Sequence, residues 1–411
     1  MVTGQRTVRD LRATNRSAVL RALFVSGPAS RVQLARSTGL SNGTITNVIA
    51  DLLGDGLVGE AGTDEATGGR PSVQLQVNPA YGLFLGVDVG ETRIRVEAFD
   101  FAMAKVAGTM RPLGSAHGPK VVVDSIAAGL DEVISQIGGA SQIVGLGLGV
   151  PGVVSQNGEP VVLAPAFGWH SVPLVTLLRS RTDLPILIDN GAKTMGQAEM
   201  WFGAGRGARH AIVVLLGTGV GAAIFADGML YRGAASSAGE WGHTTIVHGG
   251  RLCRCGSRGC LEAYVGADAI LQRWAERGGG RARLGADEED DLLALVDAGA
   301  GGGEAQQVIS EIAGYLATGI CSLVNLFDPE RIVIGGWAGL QLGPSIIDAV
   351  RAHVAEHSVH RPAVHADIRL GQLGPDAVAL GAATLVADRL LARGGERPRR
   401  RRSPGHATGL V

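Results

Sequence analysis

The segment Glu240-Trp-Gly-His243, followed by Cys253-x-Cys255-x4-Cys260-x-Glu262, constrains this chain most tightly. It gathers three of the four cysteines, a histidine and two carboxylates into one short stretch. Three thiolates and an imidazole at this spacing form the donor set of a closed tetrahedral zinc site. His243, Cys253, Cys255 and Cys260 are therefore the expected ligands of a structural Zn2+. Gly256 and Gly259 let the backbone turn tightly enough for Cys255 and Cys260 to face one ion. The competing reading is a set of buried or disulfide-bonded cysteines. Zinc does not need the two glutamates, which ask for a second explanation.

A chain of 411 residues has room for two or three domains with substantial cores. The formal net charge of −1 advertises no global nucleic-acid-binding field. That average hides a basic N-terminus: residues 1–50 carry seven arginines, from Arg6 to Arg36, against the single acid Asp10. Such a block is either a phosphate-facing surface or a solvated arm. The sequence has no uninterrupted apolar run of about 18 residues and no signal-peptide core. A cytoplasmic protein without membrane association is expected, a setting in which cysteine clusters more often hold metal than form disulfides. Cys321 reads as a small core residue, and the arginine-rich segment 393–411 as a disordered basic tail.

Near the N-terminus, Asn15 to Val25 shows a helical apolar stripe, closed by Ser26-Gly-Pro28. Ser30 caps a short second helix, Thr38-Gly-Leu40 forms a turn, and Ser41 caps a third helix through about Leu53 that buries Ile45, Val48, Ile49, Leu52 and Leu53. Helix, glycine turn and helix make a helix-turn-helix. The third helix presents Ser41, Asn42, Thr44, Thr46 and Asn47, small polar side chains suited to phosphates or base edges. The alternation in Val73-Gln-Leu-Gln-Val77, preceded by Gly68-Gly-Arg-Pro71, predicts a β-hairpin wing with Arg70 at its tip, placed for a phosphate or the minor groove. A purely structural three-helix subdomain is the alternative.

From Tyr81 the pattern changes to glycine-punctuated apolar strands and Ala/Leu-rich helices, so a boundary is expected near residues 78–80. Leu83-Phe-Leu-Gly-Val-Asp88-Val-Gly-Glu-Thr92 and Ala211-Ile-Val-Val-Leu-Leu-Gly217-Thr-Gly-Val-Gly221 each read as a strand running into a polar glycine turn. Two such turns could cradle phosphates with backbone N–H groups, and their repetition suggests a duplicated α/β fold with a nucleotide cleft. With Gly149-Val-Pro-Gly152, Asn325-Leu-Phe-Asp-Pro-Glu-Arg-Ile-Val-Ile-Gly-Gly336 and Gly374-Pro-Asp-Ala-Val-Ala-Leu-Gly-Ala382, these motifs resemble the ROK family (repressor, open reading frame, kinase) over residues 10–390.

The resemblance implies a winged helix-turn-helix (1–79), an actin-like, RNase-H-like ATPase fold of ROK type (80–392), and the tail 393–411. It also implies that His243 and the three cysteines hold zinc, and that Glu240, His243 and Glu262 line a sugar pocket. Carboxylates suit that task because they accept hydrogen bonds from vicinal hydroxyls. In the family's kinases a Glu-Asn-Asp-Ala-Asn run supplies the catalytic base. Here the matching run is Asp189-Asn-Gly-Ala-Lys193, which retains Asn190 as a sugar contact but puts Gly191 at the base. Nothing replaces the missing carboxylate there; a rescue by Asp189, two positions earlier on the same strand face, is the alternative, with a different reach. Glu91 stands where the kinases' first phosphate turn has glycine, and Ala166-Phe-Gly-Trp169 lacks the amide of their sugar segment.

These departures favour a transcription regulator without enzymatic activity, most simply a repressor of the xylose or N-acetylglucosamine type. It would act as a homodimer or homotetramer on an inverted-repeat DNA operator and respond to a sugar or sugar derivative. The alternative is an ATP-dependent, glucokinase-like sugar kinase with a DNA-binding extension. A regulator governed by a partner protein, its pocket vestigial, is a third reading.

Overall fold

The computed structural model describes residues 8–63, 72–114, 116–278, 288–359 and 366–398. The N-terminal module consists of α1 (Val8–Ser26), α2 (Arg31–Thr38) and α3 (Asn42–Gly54), with antiparallel strands Val58–Thr63 and Val73–Val77. Helix α1 starts earlier than the apolar stripe alone suggests, because its first turns carry arginines and not core residues. Ser30 and Gln33 form a reciprocal capping box on α2. Gly39 closes that helix in the left-handed conformation, φ 71°, which glycine adopts without steric cost. Ser41 caps α3 by accepting from the Thr44 N–H. Ile45, Val48, Ile49 and Leu52 are buried as expected, whereas Leu53 is only half-buried. Arg70 lies outside the described residues.

Three arginines of the basic block help hold this module in place. Arg12 and Arg16, one turn apart on α1, pair with Asp51 of α3 and Asp55 at its C-cap, each at 2.6 Å. Arg21 pairs with Asp388 of the C-terminal helix. These facing pairs account for Arg12 and Arg16, two of the arginines that the sequence alone offers to phosphates.

The rest of the chain is two lobes with one topology. In the first, strands Leu83–Val89, Arg93–Phe99 and Lys105–Pro112 form an antiparallel meander, and Ile143–Val150 and Ile186–Asn190 extend it in parallel beyond the first strand. In the second, Ala211–Leu216, Val220–Ala226 and Met229–Tyr231 form the meander, extended by Arg331–Gly335 and Asp367–Leu370. Both sheets thus have the spatial order third, second, first, fourth, fifth, the duplication that the paired glycine turns imply. Helix Gly303–Phe327 is long and apolar enough to cross a membrane by length and composition. It lies in the second lobe's core, with Ile312, Leu316 and Ile320 buried.

Helices Gly191–Phe202 and Ala377–Ala392 join the parts. The second lies so close to the first sheet that a methyl group on Gly86 or Gly147 would sit 1.9 or 1.8 Å from the carbonyls of Ala379 or Ala382. Only glycine permits that approach. One apolar core runs from Leu20, Leu23 and Phe24 of α1 through Trp201 to Leu390 and Leu391. Phe24 meets Phe101, Trp201 and Phe202 at ring distances of 5.5–5.7 Å. Packing also continues past the boundary expected at 393. Arg16 donates to the Gly394 carbonyl at 2.8 Å, the Tyr81 hydroxyl to Gly395 at 3.1 Å, and Arg397 lies over the Tyr81 ring.

Candidate effector cleft and metal centre

The metal loop is built on tight turns. Gly256 and Gly259 adopt φ of 91° and 80°, and a methyl group on Gly259 would lie 1.8 Å from the Val247 carbonyl. Cys253 and Ser257 share a backbone bond at 2.8 Å, and Gly256 returns to Cys253 at 2.9 Å. The loop thereby places the donor atoms of His243, Cys253, Cys255 and Cys260 within 4.8 Å of one another. Cys253 Sγ lies 3.7 Å from His243 Nδ1, and Cys255 Sγ lies 3.8 Å from Cys260 Sγ. A tetrahedron with Zn–S bonds of about 2.3 Å has edges of about 3.8 Å, so the spacing fits one ion. None of the four cysteines is disulfide-bonded here, and the cluster's spacing suits a metal; Cys321 is buried in the second lobe's core, as expected.

This loop forms one side of a cleft between the lobes. Asn190, Glu240, His243 and Glu262 all line it, together with both glycine turns. Trp241 anchors the Glu240–His243 turn from below, its Nε1 donating to the Gly319 carbonyl at 3.2 Å. Burial pushes the Glu240 carboxyl up, against the opposing pull of His243 and Lys193. Glu262 is buried and accepts from the Val220 N–H at 3.0 Å, so one of its oxygens already serves the fold.

On the opposite side, the strand ends at Asn190 and a helix begins at Gly191. Asn190 caps that helix through the Lys193 N–H at 3.2 Å and donates to the Gly152 carbonyl at 2.8 Å. A methyl group at Gly191 would meet nothing closer than 3.7 Å, so the position is open. Asp189 turns away: it is buried and pairs with Arg232 at 2.6 Å. Lys193 is also buried and donates to the Ser236 carbonyl. Burial lowers its pKa, and Asp189 and Glu240 pull it back up. Sequence reasoning assigned no role to Lys193, Arg232 or Arg254. A lysine inside the small apolar run Ala192 to Met195, and an arginine between two metal-spaced cysteines, were the available signals.

Of the expected DNA-facing residues, Ser41, Asn42, Thr46 and Asn47 are exposed and Thr44 is half-buried. Ser41 is committed to its cap, and Thr46 donates to the Asn42 carbonyl at 2.9 Å.

Comparisons place this architecture. The ROK family model matches residues 84–389. A xylose repressor of Caldicellulosiruptor bescii is 28% identical over 388 residues, covering 93% of this chain and 97% of the repressor. Among solved structures, a ROK family transcriptional regulator, a homologue of the E. coli MLC protein, superposes with TM-score 0.76 at 25% identity over 94% of this chain and 98% of its own. A ROK glucokinase from Streptomyces griseus, in complex with glucose and AMPPNP, gives TM-score 0.64 at 28% identity, covering 74% of this chain and 99% of the kinase. The regulators thus match nearly the whole chain, whereas the kinase matches about the length of the two lobes. With a family model spanning most of its length, the chain belongs to the ROK family.

Proposed function

We propose that this chain is a DNA-binding repressor whose two-lobed module senses a sugar or sugar derivative and does not phosphorylate it. The observation that carries this reading is Gly191. Phosphoryl transfer to a hydroxyl needs a carboxylate to orient it and accept its proton. The cleft offers no side chain at that position, and the neighbouring Asp189 is held by Arg232. What remains is binding chemistry: Glu240, His243 and Glu262 for hydroxyls, with Asn190 opposite.

Zn2+ on His243, Cys253, Cys255 and Cys260 would fix the loop that presents these groups. Asn42, Thr46 and Asn47 on α3, with Ser41, Thr44 and the wing's Arg70, would face an inverted-repeat operator bound by a homodimer or homotetramer. A route for regulation follows the Gly191–Phe202 helix. Its first turn borders the cleft, and its last residues pack on Phe24 of α1, where Arg206 also donates to the Val25 carbonyl at 3.3 Å. A ligand that moves the first turn changes the seat of the DNA-binding module, as differential binding to two arrangements requires.

Footprinting on the gene's own upstream DNA, with and without candidate sugars, tests the reading. A protected inverted repeat released by a sugar is expected. Steady ATP-dependent phosphorylation of a hexose would overturn it.

A further inference from the structure

We propose that Glu91 and Arg254 form a clasp between the lobes that fills the place of a nucleotide's phosphates, so that these two side chains exclude nucleotides from the cleft. Glu91 belongs to the first glycine turn, and Arg254 to the loop between Cys253 and Cys255. Arg254 Nη1 donates to Glu91 Oε2 at 2.5 Å, while its Nη2 donates to the Thr218 carbonyl of the second glycine turn at 3.1 Å. Glu262 is a second carboxylate beside it, at 3.5 Å. A methyl group on Gly219 would lie 3.7 Å from Glu91 and 3.8 Å from Arg254, so the ion pair sits directly over the second turn.

The turns' own amides are partly taken as well. The Gly90 N–H donates to the Arg93 carbonyl at 2.9 Å, and the Gly217 N–H to the Gly219 carbonyl at 3.0 Å. His117 Nε2 braces the Glu91 backbone carbonyl at 2.7 Å. A second cross-lobe pair, Arg93–Glu289 at 3.0 Å, lies beside the first, with Glu288 accepting from Thr218 Oγ1 at 2.7 Å.

A polyphosphate entering here would have to break the Arg254–Glu91 pair and leave the Glu91 carboxylate facing like charge. Both changes are costly where water is partly excluded. Removing the Glu91 carboxylate reverses the balance. It frees Arg254 and reopens the space above two glycine turns, a setting that favours anions.

Isothermal titration of the zinc-loaded full-length chain with ATP, ADP and inorganic phosphate tests the clasp. The wild type is expected to show no binding at millimolar concentrations, and Glu91→Gly to bind at least about tenfold more tightly. Glu91→Gln, which keeps the side chain and removes its charge, should fall between and serves if the glycine variant does not fold. Arg254→Ala, with metal content verified, opens the clasp but keeps the carboxylate, so no binding is gained. Wild-type binding equal to that of Glu91→Gly, or an equal gain in Arg254→Ala, would overturn the clasp. Nucleotide binding without sugar phosphorylation would remove the clasp alone and leave the regulator reading standing.

Discussion

The metal wall of the cleft and the wall facing it use their polar residues in opposite ways. On the metal wall, Glu240 and His243 border open space on a turn anchored by Trp241. Along Asp189–Lys193, the charged groups point into the protein: Asp189 to Arg232, Lys193 to the Ser236 carbonyl, while Asn190 caps a helix. The loop carries its own scaffold of turns and metal donors, whereas the opposite run is stitched into a sheet and a helix. The two walls therefore rest on separate scaffolds, coupled through the charges of Glu240 and Lys193.

The largest expected effect comes from breaking the metal wall. Cys255→Ser should lose the ion and destabilise the module by several kcal/mol, since metal affinity here is folding free energy. Elemental analysis and thermal denaturation would report it, and full metal content in the variant would refute the ligand set. The far end of the opposite wall comes next. Phe24→Ala removes a ring buried among Phe101, Trp201 and Phe202, and should cost about 3 kcal/mol in denaturant titrations.

A third contrast separates binding from folding. Glu240→Gln should weaken the sugar response about tenfold or more with little change in melting temperature. Asn190→Ala should cost about 1 kcal/mol of stability through the lost cap. Equal stability losses in both variants would erase the distinction between the walls.

Titration of Asp88 gives a smaller effect. Burial pushes its carboxyl up to about 6, with Arg95 and Arg93 pulling down and Glu289 pushing up. The folded state thus holds this proton more tightly than the unfolded chain. The contribution is complete below about pH 4 and is lost as pH rises through about 6. Stability should fall by on the order of 2 kcal/mol between pH 4 and pH 8, after allowance for solvent screening. Asp88→Asn should flatten that slope in denaturation curves measured at each pH. Smallest of all, Gly191→Asp should change stability by less than about 0.5 kcal/mol, because the site is open and a carboxylate suits a helix N-terminus.

Local patterns carried much of the fold. Cap residues Ser30 and Ser41, the turn glycine Gly39 and the period-two strands are set by interactions a few residues apart, so their sequence spacing is informative. The clustering of His243, Cys253, Cys255 and Cys260 was legible for the same reason. Long-range pairings were not. Nothing near Arg12 or Arg16 in sequence points to Asp51 or Asp55, and nothing near Asp189 points to Arg232. Arg12, Arg16 and Arg21 consequently looked unpaired, and Asp189 looked available for chemistry. Arg254 was hidden by its neighbours, since two cysteines draw attention to the metal and away from the residue between them.

The contacts of Gly394, Gly395 and Arg397 with Arg16 and Tyr81 bear on the order in which the molecule is made. The three N-terminal helices leave the ribosome first, yet the surface on which α1 rests includes Asp388, Leu390 and Leu391, among the last described residues to emerge. Until residues 388–391 are made, the nascent winged module can fold locally but lacks part of its seat. Fixing its orientation therefore waits for chain far downstream of the helices it holds. A shortened product ending before residue 388 would carry a DNA-reading head with nothing to steer it.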